Sequence, residues 1–152
     1  MLGGVMADHP SQLLRSWQTF AILSALFAAL TAILGKVGVG RIGSDLATFL
    51  RTIVVLVLSA AIVTLSGQWR PPAMLPRREL AFVLLSGAAT GLSWLCYYRA
   101  LQLGPASRVA PVDKLSVVFV ILLAAAFLGE ALTWRTLLGG GLIAAGAVVL
   151  AR

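Results

Sequence analysis

Five apolar stretches, at about residues 17–36, 46–66, 80–103, 109–128 and 134–151, dominate this chain and leave little of it over. Each lies close to the ~20 residues that a helix needs to cross a hydrocarbon core of roughly 30 Å. In lipid a helix pairs its backbone N–H and C=O groups internally, so such stretches can face hydrocarbon throughout. The expected fold is an all-α membrane protein with five transmembrane helices. Composition agrees: of 152 residues, 60% are hydrophobic and 11% charged, against roughly 45–50% and about 25% in soluble domains. Too few polar groups remain to cover a surface in water, and the lipid bilayer is the first partner implied.

The punctuation between the stretches supports the same division. The glycine-rich segment 35–43 (GKVGVGRIG) is expected to break the chain after span one, because glycine turns at the lowest steric cost. Gly67 with Arg70-Pro71-Pro72 closes span two, Gly104-Pro105 closes span three, and Gly129-Glu130 closes span four. Trp17, Trp69 and Trp134 fall at span ends, where an aromatic belt places them. Residues 1–16 form a polar tail without the charged-then-apolar order of a signal peptide. Span one is therefore read as retained, and 17–152 as one domain with no visible internal repeat. An odd number of spans puts the two termini on opposite sides of the membrane.

Several function classes fall away. The single cysteine, Cys96, excludes an internal disulfide, and the single histidine, His9, lies in the tail, so no metal site and no cofactor are expected. The carboxylates are Asp8, Asp45, Glu79, Asp113 and Glu130, mostly at or outside span edges, and the span hydroxyls lack a histidine base. No catalytic set results, so the chain is not read as an enzyme. The net charge of +7 is spread along the chain, without the basic patch on a soluble fold that nucleic acid would require. The glycines of 35–43 follow a membrane span, not a strand, which excludes a phosphate-cradling loop.

Ionisable groups inside spans are costly and usually face a polar cavity. Lys36 ends span one, Arg51, Arg99 and Lys114 sit roughly one to two turns inside their spans, and alternating helix direction brings all four toward one membrane face. Asp113 is the only carboxylate at that depth. The functional reading is a cationic vestibule for an anionic or phosphate-bearing substrate; the plainer one is side chains reaching back to the headgroups. Asp113 is expected to carry a proton or to pair with a cation on another helix, since neighbours at i and i+1 on a helix do not face each other. In span three, Ser86, Thr90, Ser93 and Tyr97 form a polar stripe that ends beside Trp94. Thr90, Ser93, Trp94 and Tyr97 are candidates for lining a path, although hydroxyls can also bond their own backbone. Span one adds Ser24 and Thr31, seven apart.

Small residues suggest packing faces. Gly87 and Gly91 form a GxxxG pattern in span three, and Gly139, Gly140, Gly141 and Gly146 lie in span five. Loop charge gives orientation only weakly. Arg15, Arg70, Arg77, Arg78 and Arg135 lie on the N-terminal side, against Arg41, Arg108 and Arg152 on the other. Adding the four span-edge cations reverses the balance, so the bias toward a cytoplasmic N-terminus is small and permits both orientations.

Taken in order, several stretches form a pattern. They are Lys36 closing span one, Leu50-Arg51 opening span two, Ser86-Gly87, and Gly91-Leu92-Ser93-Trp94 leading into Tyr98-Arg99-Ala100-Leu101. Ala106-Ser107-Arg108-Val109-Ala110-Pro111, Asp113-Lys114-Leu115-Ser116, Leu128-Gly129-Glu130 and the glycine-rich span five follow. The set resembles the EamA-type domain of the drug/metabolite transporter superfamily across about 17–152. The resemblance implies one half of an inverted-repeat transporter fold, and a secondary transporter or exporter of small metabolites, lipids or drugs in the cell (plasma or inner) membrane. Most members of that family carry two such domains in one chain. A single copy then implies a homodimer, antiparallel if the second copy is to be inverted, or a paralogous five-span partner. Small multidrug carriers of the superfamily use a glutamate in the first span; span one here has none, which weighs against cationic drugs. Three functions follow: a carrier of a small metabolite, anionic if the cations line the path; a flippase or flippase subunit for a lipid-linked phosphate; or a non-transporting assembly subunit.

Overall fold

The computed structural model describes residues 16–152. The polar tail read from the sequence, with Asp8, His9 and Arg15, lies outside the described residues up to Ser16. Helix α1 spans Trp17–Gly38, α2 Ser44–Leu65 and α3 Arg77–Leu103. The fourth crossing is composite: α4 (Ala106–Asp113), α5 (Ser116–Leu123) and a wide π turn over Ala124–Leu128. Helix α6 spans Trp134–Ala151. Among the described residues five segments are long and apolar enough to cross a membrane, as expected.

The helix ends have local causes. Ser16 caps α1 by accepting from the Thr19 N–H, and Thr133 caps α6 by accepting from the Thr136 N–H. Helix α2 stops at Gly67, whose φ of 63° places it in the left-handed region, so that the Gln68 N–H returns to the Val63 carbonyl. Gly129 (φ 68°) does the same for the fourth crossing, directing the Glu130 N–H to the Ala124 carbonyl. Helix α3 begins a turn earlier than read from the sequence, because Arg77, Arg78 and Glu79 are helical behind Pro76, with Glu79 favourably placed in the first turn.

Two expectations need correcting. The glycine-rich segment does end α1, but at Gly38, two residues beyond the expected Lys36. Gly35 also has a packing role: a Cβ there would lie 3.2 Å from the Tyr98 hydroxyl and 3.4 Å from Leu101 Cδ1, so the missing side chain eases the close approach of α1 to α3. The fourth crossing begins at Ala106 and is interrupted at Lys114–Leu115. Pro111, which has no N–H to donate, weakens the turn just before this interruption.

Helix α3 packs against α1, α2 and α4, and α4 against α1 and α6. The tightest packing joins the end of α1, the start of α2, the end of α3 and the start of α4. There Val39, Tyr98 and Leu101 are buried, with Ala47, Ala106 and Val109 around them. Elsewhere large apolar side chains such as Phe27, Leu56, Leu84 and Val149 stay exposed, as lipid-facing groups do.

The packing glycines behave differently from one another. A Cβ on Gly140 would come within 3.1 Å of Ile121 Cδ1, so this glycine sits at the α5–α6 contact. On Gly87, Gly91, Gly139, Gly141 and Gly146 a Cβ would meet nothing within 4 Å. Those faces are uncovered within the chain.

Candidate functional site

Helix α2 presents Arg51 to α3, where Trp94 and Tyr98 lie one turn apart on the same face. The Arg51 guanidinium carbon stands 3.7 Å from the Trp94 ring centroid and 5.3 Å from that of Tyr98. Stacking on an aromatic face is worth about 0.5–2 kcal/mol, more as water is excluded. It also engages only the plane of the guanidinium, whose N–H groups point outward from the edge. Arg51 Nη1 is buried and has no hydrogen-bond partner among the described residues. A buried donor left unmade costs ~1–3 kcal/mol, more for a charged group, so its place in the fold calls for a functional cause.

Arg51 as a residue lines a cavity of about 180 Å³. Thr31 of α1, Ser93, Trp94 and Tyr97 of α3, and Asp113 and Lys114 at the break in the fourth crossing complete its polar lining. The break explains how the last two residues meet. Lys114 and Leu115 donate to the carbonyls of Pro111 and Val112, a tighter winding than the α-helix. Lys114 Nζ thereby comes to 3.5 Å from the Asp113 carboxylate. The expected pairing of Asp113 with a cation on another helix is not what the structure has. The i, i+1 rule presumes a continuous helix, and here the helix ends between them.

The structure therefore brings together Arg51, Ser93, Trp94, Tyr97, Asp113 and Lys114. It places three other candidates elsewhere. Thr90 returns its hydroxyl to the Ser86 carbonyl at 2.9 Å. Arg99 is exposed and donates to Gln102 Oε1 at 3.0 Å. Lys36 turns to the end of α3, donating to the carbonyls of Leu101 (2.6 Å) and Gly104 (2.8 Å). Sequence reasoning missed two members. Tyr98 stacks on Arg51, and its signal was the i, i+4 spacing to Trp94. Thr31 lines the cavity, and its signal was the seven-residue spacing from Ser24.

Among the described residues no group of histidine, cysteine or carboxylate side chains is placed to hold a metal. One guanidinium, one ammonium and one carboxylate share a small cavity within the apolar spans. Such a set can bind a charged solute.

No solved structure matches the chain. It is 56% identical over 137 residues to an "Uncharacterized transporter in cobO 3'region" from Sinorhizobium sp, an alignment covering 90% of this chain and 97% of that relative. Residues 15–152 match the EamA-like transporter family. With five membrane-crossing segments and a match over nearly its whole length, the chain is a multi-pass membrane protein that belongs to the EamA-like transporter family.

Proposed function

We propose that the chain is a secondary transporter of a small organic solute bearing an anionic group, with Arg51 as the cation that receives it. The observation that carries this reading is Arg51, which lines the cavity with its guanidinium plane held by Trp94 and its buried Nη1 unpaired among the described residues. An oxyanion accepts such N–H groups in a charge-assisted hydrogen bond, stronger than a neutral one. Lys114 and the hydroxyls of Ser93, Tyr97 and Thr31 add donors to the same space. Asp113, already paired with Lys114, can release that ammonium when a proton or a substrate cation takes its place.

The transporter works as a dimer of five-span units in the cell (plasma or inner) membrane, two copies set antiparallel or one paired with a paralogous chain. Three observations support this. The uncovered glycine faces of α3 and α6 fit helix contacts between chains. The loop charges permit both orientations. The Sinorhizobium relative is matched over 97% of its length, so that relative is about as long as one five-span unit.

The test is counterflow into proteoliposomes of a panel of labelled organic anions, cations and neutral solutes. Anions should be carried, Arg51→Gln should abolish their flux, and Arg99→Gln should leave most of it. Flux confined to cations, or wild-type anion flux in Arg51→Gln, would overturn the proposal.

A further inference from the structure

The cavity at Arg51 adjoins a larger space of about 520 Å³ between α1 and α4, open on the side where Ala21, Ala25 and Ala28 are exposed. Ala28, Tyr97, Asp113 and Lys114 line both, so the two spaces meet along one boundary. Their chemistry differs sharply. Ala21, Ala25 and Ala32 of α1 and Ala110 and Pro111 of α4 wall the larger space, with the Ser24 hydroxyl as its one polar group away from the shared residues. Alanine has no side chain long enough to fill a gap between helices, so this run keeps the space open. Its volume is ample for a ring: an apolar cavity of about 150 Å³ holds benzene.

Charge limits the other end. Arg51 and Lys114 bring two positive charges and Asp113 one negative, a net of +1 from 2 − 1. In an environment of low dielectric an uncompensated charge is expensive. A single negative charge on the ligand brings the site to neutrality, whereas a dianion would leave an excess of the opposite sign.

We infer that the substrate is a monoanionic amphiphile: one carboxylate-sized oxyanion held at Arg51, carried on a compact apolar body that lies in the alanine-walled cavity. This rests on the anion-transport reading above and narrows it. Selectivity then has two independent parts, the sign and size of the head charge and the apolar bulk behind it.

Phenylbutyrate is a suitable probe. Its labelled form is bound to the full chain in lipid nanodiscs at mildly alkaline pH, with empty nanodiscs subtracted, and displaced by unlabelled competitors. Acetate, which lacks the apolar body, phenylbutyramide, which lacks the charge, and phenylbutyl phosphate, a dianion under these conditions, should each require roughly tenfold or more higher concentration than phenylbutyrate itself. Ala25→Leu, which fills the apolar cavity, should narrow the gap between phenylbutyrate and acetate. Arg51→Gln should erase the preference for the acid over the amide. Should that variant fail to assemble, Arg51→Lys retains the charge and should retain the preference. Acetate competing as well as phenylbutyrate, or no saturable phenylbutyrate binding, overturns the amphiphile. The phosphate competing better overturns the charge count. Each of these leaves anion transport to be decided by the flux panel. The amide competing as well as the acid in the wild-type protein, together with anion flux unaffected by Arg51→Gln, overturns both.

Discussion

Lys36 offers the most direct test of how this fold uses its buried charge. An α-helical carbonyl is normally satisfied by the N–H four residues on, and for Leu101 that residue is Pro105, which has none. Lys36, reaching across from α1, supplies the missing donor at 2.6 Å and serves the Gly104 carbonyl at 2.8 Å. Hydrogen bonds to a charged group contribute ~1.5–3 kcal/mol each. Lys36 is only half-buried, so water and headgroups can take over part of the duty in its absence. Lys36→Met keeps most of the aliphatic stem and should cost about 2–4 kcal/mol in total. For a chain of this size that corresponds to a fall of roughly 5–15 °C in the midpoint of thermal unfolding. The assay is the fraction of purified protein remaining monodisperse after heating, read beside flux in proteoliposomes. An unchanged midpoint with lost flux would refute the reasoning and return Lys36 to the substrate path.

Gly35→Val should be more damaging than Lys36→Met, because its side chain would press on Tyr98, which is buried and cannot swing away; the yield of folded protein after extraction reads this out. Gly91→Leu should leave the single chain's thermal midpoint nearly unchanged, since nothing lies within 4 Å of a Cβ there, yet weaken assembly in cross-linking experiments if α3 faces a second chain. Thr90→Ala should alter flux and stability little, because its hydroxyl serves only the Ser86 carbonyl of its own helix. Wild-type assembly in Gly91→Leu, or a lost flux in Thr90→Ala, would contradict these placements.

The spans were legible because length and apolarity alone decide whether a helix can cross a bilayer. The cation-rich end was legible because each of its charges is anomalous for its depth. What stayed hidden is how those charges divide their work, and the reason differs at each position. Pro105 announces an orphan carbonyl on Leu101, but nothing local says that the donor comes from Lys36, on another helix. Gly35 sits in a run of turn-forming glycines, and only the position of Tyr98 reveals that its missing side chain is used for contact. Thr90 shares its stripe with Ser93 and Tyr97, yet its hydroxyl is satisfied within its own helix. Asp113 and Lys114 do not face each other on a continuous helix, and it is the break at Lys114–Leu115 that lets them pair.

These divisions bear on how one small unit can carry a solute. The side chains buried most completely gather at one face of the membrane, where Val39, Tyr98 and Leu101 pack and Lys36 ties α1 to the end of α3. Tyr98 belongs to this cluster and also stacks on Arg51, so that guanidinium is anchored to the rigid end. Asp113 and Lys114 stand on the opposite wall of the cavity, at an interrupted helix that lacks the proline's hydrogen bond and so resists bending less. One wall of the site is thus fixed and the other sits on the most deformable backbone beside it. On the function proposed above, this asymmetry would let the charge that holds the solute stay in place while the wall facing it moves.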